Sequence, residues 1–195
     1  MSASFDLDGE GAIVLRKFEI LSSLLNPLLS FFFQKLEVGD IERAQQALEA
    51  ITTFAELAQQ WLSVLETPER QEKFPELQGL NLSEKLKNIR QRAKEWQEVL
   101  NDVWGNRERL REISEALETE SEEFWNTIVP TIENLEKEKD LEQDTRKAFF
   151  QLKIKLNELA TSLRLARLWI NWIIEVVGAG KGADSKKMSV LFGRA

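Results

Sequence analysis

A chain of 195 residues with 43% hydrophobic and 30% charged side chains suits one domain with a sizeable core and is too apolar for a disordered chain. It has neither His nor Cys, which excludes imidazole bases, thiolate nucleophiles, disulfides and the usual nitrogen and sulfur ligands of zinc or haem. The formal net charge of -7 hides an asymmetry: residues 145–195 carry ten Lys and Arg against three acids, a net of +7, leaving -14 for residues 1–144, which suits a polyanion-binding or membrane-facing end or two halves that attract each other.

The opening MSASFDLDGE carries acids where a secretory signal carries bases, so no export signal is read there and a cytoplasmic location is expected. A first helix is predicted from about Glu10 to Leu36, because Val14, Phe18, Leu21, Leu25, Leu28 and Phe32 alternate three and four apart. Pro27 inside it predicts a kink. Ile20–Gln34 is the longest uncharged stretch, and its fifteen residues fall short of the ~20 that a spanning helix needs. Gly39 and Asp40 then offer a stop and a new N-cap.

The second helix, Ile41 to Leu65, has two seams. Ile41, Ala44, Leu48, Ile51, Ala55, Ala58, Leu62 and Leu65 form one, and Ala47, Ala50, Phe54, Leu57, Trp61 and Val64 form another beside it. Two seams require two neighbours, and the Ala-rich one permits a close approach of helix axes. Residues 66–81 form the one connector, where Thr67 and Pro68 can start a single helical turn. Asn81 and Glu84 have the spacing of a capping box for the next helix.

From Leu82 the spacing continues through Leu86, Ile89, Ala93, Trp96, Leu100 and Val103, and then at sevens through Leu110, Leu117 and Phe124. It predicts one helix of about 46 residues, or roughly 69 Å. Gly105 is its weak point, with a tight turn at Gly105 and Asn106 as the alternative. Pro130 is expected to kink or end this helix, and the twelve acids of residues 112–144 to form a solvated face. Asp140 with Gln143 offers a second capping box.

Residues 145–177 form the last and best-defined helix. Phe149, Leu152, Leu156, Leu159, Leu163, Ala166, Ile170, Ile173 and Val177 keep one seam turned to a partner helix for more than three heptads. The expected organisation is a single helical bundle domain over residues 1–177 with a Gly-broken tail over 178–195. The expected fold is all-α, an elongated and mostly antiparallel bundle of four to five long helices with coiled-coil-like packing.

No constellation supports catalysis. Glu115, Glu118 and Glu122 lie one turn apart, but a di-iron bundle site needs His to complete it. Gly178, Gly180, Lys181 and Gly182 lack both the spacing and the strand-to-helix setting of a phosphate loop. No G-x-S-x-G or S-x-x-K arrangement occurs. Hence no enzyme activity, cofactor, metal site or small-molecule substrate is expected.

Three kinds of partner are compatible with the residues. A protein partner or self-association follows from a second apolar stripe on the last helix, Leu165, Leu168 and Trp172, expected to be a subunit interface; cover by the first helix or by Val190, Leu191 and Phe192 of the tail is the alternative. Nucleic acid is the runner-up, with Lys153, Lys155, Arg164 and Arg167 as candidate phosphate contacts and Lys85, Lys87, Arg90, Arg92 and Lys94 as a second basic stretch. Those cations can equally pair with the chain's own acids. Membrane contact is a third reading, through Leu24–Phe33 or through Leu163–Val177, where Arg164, Arg167, Asn171 and Glu175 form the only polar stripe. The expectation is a non-enzymatic helical interaction or scaffold protein, a small subunit of a larger assembly.

Overall fold

Sustained three-four spacing forces each amphipathic segment to bury one face against another, and the computed structural model, which describes residues 38–179, shows how they do so. The described residues contain no strand. The elements are α1 (Val38–Leu65), the short α2 (Pro68–Lys73) and α3 (Pro75–Gly79), α4 (Leu82–Val99), a 3-10 turn (Leu100–Asp102), α5 (Arg107–Glu123), a π-helical segment (Phe124–Ile128), α6 (Val129–Glu136) and α7 (Gln143–Ala179). The predicted first helix, with Pro27, and the tail from Gly180 onward lie outside the described residues.

Four long arms run up, down, up and down. α1 and α7 are antiparallel, since Asp40 meets Trp172 at one end and Phe54 meets Lys155 further along. α4 returns along α1, with Gln45 beside Asn101 and Gln59 beside Ser83. α5 runs back against α7, with Ser114 beside Asn171, and α6 continues it to Glu136 beside Lys153. α1 and α7 share the most extensive contact, while α4 and α5 barely touch along their backbones. Ion pairs span that wider seam: Lys85–Glu123 and Arg92–Glu120, each at 2.5 Å.

All nine residues of the α7 seam are buried, as is the first seam of α1 from Ala44 to Leu65. Their small members, Ala44, Ala55 and Ala58 on α1 and Ala166 on α7, suit the closeness of this helix pair. In the connector Phe74, 1% exposed, packs edge-on against Phe149 with centroids 5.1 Å apart, closing one end of the bundle.

Several local expectations are corrected. The 46-residue helix does not exist: the chain reverses between α4 and α5, at the Gly105–Asn106 alternative. Asp102 drives the reversal, because its carboxylate accepts from the Gly105 N–H at 2.9 Å and its carbonyl from the Asn106 side chain at 2.8 Å. A Cβ on Gly105 would stand 2.3 Å from the Asp102 Oδ2, so only Gly permits that approach. The heptad phase survives the reversal because both arms face the same core. Neither capping box forms: Asn81 and Asp140 adopt left-handed backbone, φ 46° and 66°, which Asn and Asp tolerate in turns but which is not the extended N-cap conformation. α7 starts instead at Gln143, with the Glu142 carbonyl accepting from Arg146. Gly39 and Asp40 lie inside α1 and do not precede it. Pro130 ends nothing, because the π turn before it widens the helix where its ring would strike the preceding carbonyls.

Candidate partner surface

Three of the four residues of the expected polar stripe of α7 meet the arm formed by α5 and its π-helical continuation. Asn171 accepts a hydrogen bond from the Ser114 hydroxyl at 2.5 Å, Arg167 pairs with Glu118 at 2.6 Å, and Arg164 lies 4.5 Å from the centroid of the Trp125 ring. Arg164 and Glu175 are the exposed members of that stripe, while Arg167 and Asn171 are half-buried. Of the apolar residues of Leu163–Val177, Leu163, Ala166, Trp169, Ile170 and Ile173 are buried within the bundle, and no described helix is long and apolar enough to cross a membrane. The Leu24–Phe33 stretch lies outside the described residues.

The four candidate phosphate contacts all engage the chain itself. Lys153 pairs with Glu136, Lys155 with Glu158 at 2.9 Å, Arg167 with Glu118, and Arg164 stacks on Trp125. In the second basic stretch Lys85, Arg90 and Arg92 pair with Glu123, Glu56 and Glu120, while Lys87 and Lys94 are exposed. Two of these pairs, Lys153–Glu136 and Arg167–Glu118, join bases of the last third to acids of the first two thirds.

Trp172 is not available to a partner. It is 5% exposed, and its indole Nε1–H donates to the Asp40 carboxylate at 3.2 Å, joining the end of α7 to the start of α1. Asp40 itself is 2% exposed and lies 3.8 Å from Arg43, whose guanidinium stacks on Trp169. Leu165 and Leu168 are half-buried. The three residues of the predicted stripe are therefore divided between the bundle's own packing and its surface.

Two aromatic side chains that periodicity did not single out stand further out: Trp125 is 41% and Phe150 44% exposed. Each follows a fully buried Phe, at 124 and 149, and a step of ~100° per helical residue turns the second ring away from the core. The paired aromatics were the available signal, but a dipeptide does not say which member faces outward. Both lie where α7 meets the π segment and α6, with Arg164 against one ring and Lys153 5.3 Å from the centroid of the other. Between them α7 presents Asn157 and Thr161, both uncharged.

Among the described residues no group of three or more Asp or Glu is placed to hold a metal ion. Glu118 is paired with Arg167, and Glu115 and Glu122 face solvent. The Gly178–Gly182 motif falls at the end of α7 and mostly beyond the described residues. The geometry defines a class, an antiparallel all-α bundle whose largest exposed apolar groups are aromatic. Searches against protein-family models, curated proteins and solved structures give no match to the chain.

Proposed function

We propose that this chain is a non-enzymatic interaction protein, a helical subunit that docks a protein partner through the α6–α7 flank. The supporting observation is the exposure of Trp125 and Phe150 on one side of the bundle. Large aromatic groups left in water lose the hydrophobic stabilisation that burial would give, and at interfaces they supply most of the binding energy. Fourteen residues separate Phe150 from Arg164, the residue beneath Trp125, which is about 21 Å along a helix. That span fits within a standard interface of about 800 Å² per partner. The uncharged Asn157 and Thr161 between the two rings match the charge depletion of interface centres.

The test is a photoreactive phenylalanine analogue placed at position 125 or 150 in cells, with position 87, an exposed Lys on α4, as control. One adduct of defined mass, shared by 125 and 150 and missing at 87, is expected. Equal labelling at all three positions, or a small-molecule turnover by a strict monomer, would defeat the proposal.

A further inference from the structure

A second face adjoins that flank. Along α1 the residues nearest α7 are Ala47, Phe54 and Trp61, half-buried against the core; one row further out lie Ala50, Leu57 and Val64, the last 39% exposed. On α7 the matching outer row holds Ile154, Leu165 and Leu168, each half-buried although it stands on the side opposite the helix's own seam, with the exposed Thr161 among them. Antiparallel pairing sets these two rows side by side. The only ionised group in the α7 row is Glu158, already bonded to Lys155. The result is an apolar trough along the outside of the α1–α7 pair with no unbalanced charge on its α7 side.

We propose that this trough is occupied by residues 14–36 of the same chain. The chain enters α1 at Val38, two residues before Asp40, and Asp40 is bonded to Trp172 at the Leu168 end of the trough. The preceding residues therefore begin at one end of the apolar row with no linker to cross. From Ile20 to Gln34 they contain no charged side chain, and Leu21, Leu25, Leu28 and Phe32 recur three and four apart. Leu168 and Ile154 are fourteen residues apart, about 21 Å, whereas twenty-three residues span about 34 Å even when helical, so the segment is long enough to cover the row. A trough with no unbalanced charge on its α7 side, beside a segment whose residues 20–34 are uncharged and which is tethered at its end, favours intramolecular cover, because the tether supplies a high effective concentration. This reading does not depend on the α6–α7 flank.

The full chain has no Cys, so a single Leu168→Cys variant can be modified with a thiol-reactive benzophenone, with Leu57→Cys as a second probe on α1. After irradiation of a mixture of isotopically light and heavy chains, both probes should link to peptides from residues 14–36 with no light–heavy hybrids. Hybrids joining position 168 to the α7 peptide of another chain would show a second copy in the trough and overturn the proposal. Failure of both probes to reach residues 14–36 would overturn it equally. As an independent measure, adding Leu25→Asp with Leu28→Asp to the Leu168→Cys variant should raise the maleimide labelling rate of its single thiol about tenfold through opening of the cover. An unchanged rate would count against the proposal.

Discussion

The Asp40–Trp172 contact shows how one polar pair can fix the end of a bundle. A buried carboxylate is tolerable only where its oxygens are bonded, and here an indole from a residue 132 positions away helps to satisfy it. Trp172→Phe should destabilise the fold by about 1–3 kcal/mol, the cost of leaving a buried charged acceptor short of a donor. In urea denaturation, combining it with Asp40→Asn should cost less than the sum of the two changes; strict additivity would show that the bond contributes nothing. Gly105 poses a different constraint, since Gly105→Ala displaces the Asp102 carboxylate from the turn and should lose about 1 kcal/mol without changing helix content by circular dichroism. The Glu133 carboxyl is held below the usual carboxylate range by its hydrogen bond from Lys137 and by that lysine's charge. A group lowered in this way favours folding above its ordinary titration range, and that contribution disappears as pH falls through the lowered value. NMR titration should place Glu133 below the usual carboxylate range, and Lys137→Met should raise it.

At the scale of elements, ion pairs line some of the seams that the apolar faces form, while the closest pair, α1 and α7, has none among the ion pairs found between described residues. α4 and α5 barely touch along their backbones and are bridged by Lys85–Glu123 and Arg92–Glu120, whereas α7 is bound to the α5–α6 arm through both Lys153–Glu136 and Arg167–Glu118. Charge reversal at Lys153 and Arg167 puts like charges together and should lower stability by about 1 kcal/mol per site, with an effect that shrinks as salt is added. A fall in oligonucleotide affinity at unchanged thermal stability would instead assign these side chains to phosphate contacts. Pro130 illustrates a second device. The π segment accommodates it without ending the arm, and the same segment carries Trp125 outward.

Across the whole molecule, the up-down-up-down course brings the acidic first two thirds and the basic last third into contact. Within the described bundle Lys153 and Arg167 of the basic third pair with Glu136 and Glu118 of the acidic part. Among the described residues the most exposed large apolar side chains are aromatic: Trp125 and Phe150 on one flank, and Trp104, 43% exposed, at the α4–α5 turn with Arg107 5.4 Å from its ring centroid. Trp125→Ser with Phe150→Ser should therefore leave the thermal transition within a few degrees of its original midpoint, because surface changes away from the core move stability by about 0.5 kcal/mol.

Apolar periodicity is a property of the chain alone, which is why the α7 seam, the first α1 seam and the all-α class were legible in the sequence: a three-four repeat has a single way to bury its face. The helix ends and the reversal were not so legible. Asn81 and Asp140 carry the side chains of a cap yet adopt left-handed backbone, a choice made by the turns that join packed arms. The seven-residue phase from Val103 to Phe124 reads the same for one long helix as for two arms facing a common core, and the Asp102–Gly105 contact turns it into two. The roles of individual surface residues belonged to tertiary structure altogether. Lys153 and Arg167 could meet phosphates or carboxylates, and Trp172 a partner or a buried Asp, until the antiparallel packing set Glu136, Glu118 and Asp40 beside them. Spacing along a chain fixes which side chains share a face, and only the packing of helices fixes what that face meets.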